Sequence, residues 1–293
     1  MSATFILNAI LFVAGLHCSP CTTVPCDSAD NDSQIEYLRS KNAEGKAYYA
    51  AGEYRLAVDC FFELTDNGYP PGITNLGIAY LNGAGISQDS HRAFECFKAA
   101  AELGEPTAQT HLGTMYARGI GTEIDDSAAI YWFTQRAAEG DTKAMNSIGI
   151  IYLNGNDIEA DSTTAYRWFR QSAINGDNDG MFYLGLTLVL SNPEYTDSIL
   201  GSGRNCIYNA ARKGHRQAQI YMMNEAVKHG NYTRAYNWSK ALHENGETEG
   251  TMILAYCYRY GRGVSRNRRQ AKKLYSEAAA KGNEEAVRIL EEW

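Results

Sequence analysis

The side chains in this chain that could carry chemistry are six histidines, seven cysteines and 34 acidic residues, and their spacing decides which chemistry is open to them. His17, Cys18, Cys21 and Cys26 fall close together, with enough nitrogen and sulfur ligands for one zinc ion. They sit in a linker, however, with no regular pattern around them to hold a tetrahedral site. His91, His111, His215, His229 and His243 are scattered, with no pair at metal-ligand spacing. A phosphate loop needs G-x-x-x-x-G-K-[ST], a hydrolase elbow G-x-S-x-G and a zinc protease H-E-x-x-H, and none of these occurs. The expectation is a chain with no catalytic residue, no metal and no cofactor.

Cys60, Cys96 and Cys206 are different, because they occupy one position of an internal repeat. Glycines recur at Gly68, Gly104, Gly140, Gly176, Gly214, Gly246 and Gly282, at intervals of 36, 36, 36, 38, 32 and 36 residues. Eleven residues before each stands a small residue: Ala57, Ala93, Ala129, Ala165, Gly203, Ala235 and Ala271. Seven before stand Phe61, Phe97, Phe133, Phe169, Ile207, Ser239 and Tyr275, and four after come Gly72, Ala108, Ala144, Gly180, Ala218, Gly250 and Ala286. This spacing of small and large apolar positions has the helical period, not the strand period. Small residues let two helices approach, while aromatic and leucine side chains fill the gaps between helix pairs. In this reading the repeated cysteines are small buried hydrophobes.

Each repeat therefore reads as helix, turn, helix and glycine stop. The turn is G-x-G at Gly83-Gly85, Gly119-Gly121 and Gly261-Gly263, as expected where backbone must turn to positive φ after a helix. Fifteen residues before the stop stand Asp89, Asp125, Asp161, Asn231 and Asn267, all N-cap types. Acidic pairs such as Asp125-Asp126 are explained by capping and the helix dipole. Tyr80, Tyr116 and Tyr152 recur as a packing position.

The segment 112–141, with Leu112, Gly113, Tyr116, Gly119, Gly121, Asp125, Ala129, Trp132, Phe133, Ala137, Ala138 and Gly140, resembles a Sel1-like repeat of the tetratricopeptide-like superfamily. The resemblance covers roughly residues 37–293 and is strongest over 72–177 and 248–286. It implies an all-α fold, a right-handed superhelical α/α solenoid of about seven helix-turn-helix repeats with a C-terminal capping helix that ends in Leu290 and Trp293. It also raises β-lactam chemistry, for which the S-x-x-K pair is absent. Residues 178–247 depart from the pattern. They lack the G-x-G turn, carry the insertion 192–203 and contain one shortened repeat, so the regular grooves are expected to break there.

In this architecture the first helices line the concave surface on which partners lie. Counting two before, two after and five after the Leu-Gly pair selects Thr74, Ile78 and Leu81, then Thr110, Thr114 and Ala117, then Asn146, Ile150 and Leu153, then Phe182, Leu186 and Val189. A strip of Ile150, Leu153, Phe182 and Leu186 would mark an interaction surface if exposed, and would be core if it packs on the next repeat. A second candidate is electrostatic: Arg259, Arg262, Arg266, Arg268, Arg269, Lys272 and Lys273 form a basic run with no acid among them, suited to an acidic partner or anionic surface.

The formal net charge of −7 argues against a general nucleic-acid binder, whose affinity rests on neutralising phosphates. Phe5 to Leu16 is an apolar run too short to span a bilayer comfortably and reads as the core of a secretory signal, although no Lys or Arg precedes it. The expected organisation is a signal or hydrophobic segment at 1–19, a Cys-containing linker at 20–36 and the solenoid at 37–293. The functional expectation is an exported, periplasmic or secreted, monomeric adaptor that binds protein partners, with no nucleic acid and no stable membrane span. Two alternatives stand beside it: a cell-wall-related ligand-binding protein or hydrolase with a pocket in 178–247, and a cytosolic or secreted regulator or effector.

Overall fold

The computed structural model of the protein describes residues 28–190 and 197–293. The apolar run 5–16, the cluster of His17, Cys18, Cys21 and Cys26, and the first part of the insertion 192–203 lie outside them. Among the described residues there are fifteen helices and no strand, an all-α repeat solenoid in which helices pack in series. Two compact units divide the chain. In the first, ending at Asp161, α1 (Ser28–Ala50) pairs with α2 (Tyr54–Asp66), α3 (Pro70–Asn82) with α4 (Ser90–Glu102), and α5 (Pro106–Arg118) with α6 (Asp126–Ala138), followed by α7 (Thr142–Asn154). The second starts with α8 (Ser162–Ile174). In it α9 (Asn178–Leu190) pairs with α10 (Asp197–Arg212), α11 (Arg216–Lys228) with α12 (Tyr232–Glu244), and α13 (Thr248–Tyr260) with α14 (Arg268–Ala280), on which α15 (Glu284–Glu291) packs as a cap.

The repeat positions do what their residue types dictate. Every small residue eleven before a stop glycine is buried, as is every residue seven before it, from Phe61 to Tyr275. The close approach is steric. A Cβ placed on Gly113 would lie 3.0 Å from the Phe133 ring of its own hairpin, and one on Gly72 would lie 2.2 Å from Leu64 of the preceding helix. Helix starts are capped as expected: Asp89, Asp125, Asn231 and Asn267 accept from the backbone N–H three residues on. The N–H groups of Asp89, Asp125, Asp161 and Asn267 also donate to the carbonyls of Tyr80, Tyr116, Tyr152 and Tyr258, nine residues earlier. Each such bond fixes the length of the turn that follows a first helix.

The glycines serve two distinct needs. The stop glycine Gly104 has φ +82 and open space around its missing Cβ, so only its left-handed backbone asks for glycine. Gly121, the second of the G-x-G turn, has φ +70 and in addition faces Ser90 O of the preceding hairpin, which a Cβ would approach to 2.1 Å. That turn rests against the start of the previous second helix. In the next repeat the equivalent residue is Asp157, and the contact is made by side chains instead: the Asp126 N–H donates to Asp157 Oδ1 at 2.9 Å, while Asp126 Oδ2 accepts from the Asn156 and Asp157 N–H groups at 2.9 and 3.1 Å. Capping thus explains Asp125 but not Asp126, which is fully buried and binds the following turn. Burial alone would raise the Asp126 pKa, but the Asp157 and Asn156 donors outweigh it and hold the carboxyl below the usual carboxylate range.

Candidate functional site

The first-helix positions divide by burial. Of the four residues two before the Leu or Ile of each pair, Thr74, Asn146 and Phe182 are 3%, 5% and 7% exposed and so do not line an open groove, while Thr110 is half-buried. The reason is visible at Thr74, whose hydroxyl lies 3.0 Å from Pro70 O and 3.2 Å from Oε2 of Glu105, the N-cap of the next first helix. Phe182 lies 4.6 Å from the His215 ring, centroid to centroid. His215 accepts from the Ala218 N–H through Nδ1 at 3.0 Å and places Nε2 3.0 Å from Asp179 Oδ1. This row is repeat-to-repeat packing.

The positions two and five after the pair lie further out. In the first unit Ile78 and Leu81, Thr114 and Ala117, and Ile150 are half-buried, and Leu153 is 36% exposed. Thr110 is half-buried, and its hydroxyl donates to Pro106 O, as that of Thr114 donates to Thr110 O. Both hydroxyls are bound within their own helix. The first unit therefore carries an uncharged face on α3, α5 and α7, on a chain with 61 charged residues, 27 basic and 34 acidic. In the second unit Leu186 and Val189 are likewise half-buried and pack onto a cluster with Phe182, Ile207 and Ala218, as Ile78 and Leu81 pack onto the core of the first unit. The equivalent positions on α13 are Tyr256 and Arg259, where the apolar character ends.

The basic residues fall around this change. Arg262, Arg266, Arg268, Arg269, Lys272 and Lys273 are all exposed, and among the described residues only Lys273 meets a carboxylate, Glu277 at 3.8 Å. Sequence reasoning found the charges and missed the rings beside them, since Tyr232, Tyr256, Tyr260 and Trp293 come from three separate segments.

Residues 178–247 hold an open pocket of about 360 Å³, bordered by Arg204 on α10, Met222 and Glu225 on α11, and His229, Asn231 and Arg234 at the next turn. Three residues separate α11 from α12, where seven separate α3 from α4, α5 from α6 and α13 from α14. The shortened turn leaves this space unfilled. Glu225 already pairs with Lys228 at 3.7 Å and His229 at 3.4 Å, and Asn231 caps α12.

Titratable groups elsewhere are tied up in packing. Burial pushes the thiols up, Cys96 to about 12 and Cys257 to about 11, and it also raises Cys206 and Cys60. His111 stacks on Phe97 with centroids 4.6 Å apart, and burial lowers its pKa. Among the described residues no three His, Cys, Asp or Glu side chains gather as a metal site, and no helix is long and apolar enough to cross a membrane.

The model of the Sel1 repeat family matches residues 70–105, 106–141, 142–177 and 248–283. A Sel1 repeat protein from Oxalobacter formigenes has the same fold, with 27% sequence identity, a TM-score of 0.66 and coverage of 82% of this chain and 99% of that one. The chain carries four Sel1 repeats and has the fold of Sel1 repeat proteins. A protective antigen present in uropathogenic Escherichia coli strains, displaying an SLR fold, is also 27% identical, with a TM-score of 0.63 over 88% of this chain. The chain spans 57% of that antigen's length. No curated protein matches the sequence significantly. Sel1-like repeat proteins are generally non-enzymatic scaffolds that mediate protein–protein interaction. The four matched repeats leave 178–247 uncovered, the region whose turns depart from the Sel1 pattern.

Proposed function

We propose that this Sel1-like repeat protein is a non-enzymatic adaptor that holds a partner protein against the first-helix face of its repeats. The observation that carries the reading is the uncharged row Ile78, Leu81, Thr114, Ile150 and Leu153 on three successive first helices, since a largely apolar row is what a partner's helix or extended segment would cover. Export from the cytoplasm belongs to the same proposal and rests on the apolar run 5–16. Co-purification from the native cell tests it, with wild type beside Ile150→Asp combined with Leu153→Asp. Partners should be lost from the double variant while helicity and melting stay as in wild type, and an identical partner set would sink the assignment. Mass spectrometry of the native N-terminus tests export, which an intact Met1 would contradict.

The pocket at the shortened turn favours a second reading, a small anionic ligand held between Arg204 and Arg234. A thermal-shift screen with dicarboxylates and phosphate tests it. No stabilisation by any of them would remove the reading.

A further inference from the structure

We propose that the end of the second unit binds an acidic segment of a partner protein through arginines held flat by aromatic rings. The inference deepens the adaptor reading and rests on it. Its basis is a continuous stack. Arg262 lies over Tyr232 at 4.5 Å and Tyr256 at 5.4 Å from the ring centroids, and it donates to the Tyr232 hydroxyl. Tyr256 meets Tyr260 at 4.8 Å. Arg259 lies over Tyr260 at 5.4 Å and over Trp293 at 5.0 Å, and Arg268 lies over Trp293 at 5.3 Å. Trp293 in turn packs on Tyr275, 6.0 Å between centroids.

A guanidinium over a ring keeps N–H groups at its edge, the fork that matches a carboxylate in two parallel hydrogen bonds. Arg262 donates one to the Tyr232 hydroxyl and Arg259 one to the Tyr275 hydroxyl, and the other N–H groups form the binding edge. A long side chain immobilised in advance loses less entropy when it binds, so the fork is pre-organised. Such arginines are usually neutralised by a nearby carboxylate. Here, among the described residues, none of Arg259, Arg262, Arg266 or Arg268 forms an ion pair, although elsewhere Arg136 and Arg216 each do. Glu285 is felt at the Tyr275 hydroxyl but pairs with none of the three stacked arginines. On a chain of net charge −7, these cations are left without the carboxylates they fit.

The class of ligand follows from the faces. Single-stranded nucleic acid needs open ring faces on which bases stack, and here Tyr232, Tyr256, Tyr260 and Trp293 are already faced by arginine. Arginine covers one face of each of these rings, and the exposed Arg262 and Arg268 add donor edges, while Tyr260 is 53% exposed. An acidic peptide suits edges, and Tyr256 and Arg259 occupy on α13 the register that Ile150 and Leu153 occupy on α7, so the second unit carries charge where the first carries apolar side chains.

Fluorescence polarisation with purified full-length protein tests this. The probes are a labelled peptide of alternating Glu and Gly, its Gln-for-Glu counterpart and an oligothymidylate of similar length. Wild type is expected to bind the Glu peptide, more weakly as salt rises, and to bind the Gln peptide and the oligonucleotide poorly. Arg262→Gln with Arg268→Gln, both exposed and replaceable without disturbing the core, should weaken Glu-peptide binding by about tenfold or more. Trp293→Leu, which removes no charge, should weaken it as well. No binding by wild type, equal binding by the arginine double variant, equal binding of the Gln peptide or tighter binding of the oligonucleotide would each overturn the proposal. The Ile150→Asp, Leu153→Asp variant should bind the Glu peptide as wild type does, so failure of the arginine–aromatic stack and failure of the first-helix face are read separately.

Discussion

Asp126 and Asp157 grip each other's backbone. The Asp126 N–H donates to Asp157 Oδ1 at 2.9 Å, and the Asp157 N–H donates back to Asp126 Oδ2 at 3.1 Å. The two residues lie in adjacent repeats, 31 positions apart, and their exchange does the work that bare contact between a glycine and a carbonyl does at Gly85, Gly121 and Gly263. A buried carboxylate that takes two backbone N–H donors is both strong and exacting.

Asp126→Ala is expected to lower stability by about 2–3 kcal/mol, because the Asn156 and Asp157 donors lose their acceptor. Urea unfolding gives the value directly. The pH dependence follows from the sign of the shift. The folded pKa lies below the unfolded one, so the Asp126 contribution is fully present above the ordinary carboxylate range and fades as pH falls through the depressed folded value. Wild type should therefore lose stability in acid more steeply than Asp126→Asn, which has no proton to take up there.

The two kinds of glycine should separate under substitution. Gly104→Ala meets only the left-handed backbone and should cost about 1–2 kcal/mol. Gly121→Ala meets the same backbone and also Ser90 O at 2.1 Å, so its loss in denaturant melts should be clearly larger.

Cys96 and Cys257, buried and with thiols pushed up to about 12 and about 11, should resist iodoacetamide at neutral pH in the native protein. Peptide mapping should find them unlabelled until denaturant is added. Labelling at the rate of a free thiol would show that the packing around α4 or α13 is open.

Removing a large side chain from the repeat's core position gives a fourth expectation. Phe97 is fully buried against Gly77, whose missing Cβ would stand 3.0 Å from its ring. Phe97→Ala should cost about 3–5 kcal/mol in a chemical melt.

Much of this was legible in the sequence because the repeat samples the same physics several times. The alignment of Ala57 with Ala93, and of Phe61 with Phe97, showed the core before any coordinates, and Asp89 and Asp125 marked helix starts that both residues do cap. What escaped was contact across the repeat length. Thr74 looked like a groove residue because spacing along one helix says nothing of Glu105 on the next. Asp126 looked like a cap because its partners lie about 30 residues away. The arginine run was plain, yet its pairing with Tyr232 and Trp293 depends on how α12, α13 and the chain end meet. Phe182 and Leu186, placed in the groove by register, were drawn into packing around Ile207 and Ala218, where the repeat itself is irregular.

The central claim, a partner held on the first-helix face, is tested most directly by site-specific photocross-linking in the native cell. Benzoylphenylalanine placed at Leu153, on first helix α7, should capture a partner protein. The same residue at Tyr131, exposed on second helix α6, should capture none. Cross-links from Tyr131 with none from Leu153 would contradict the account.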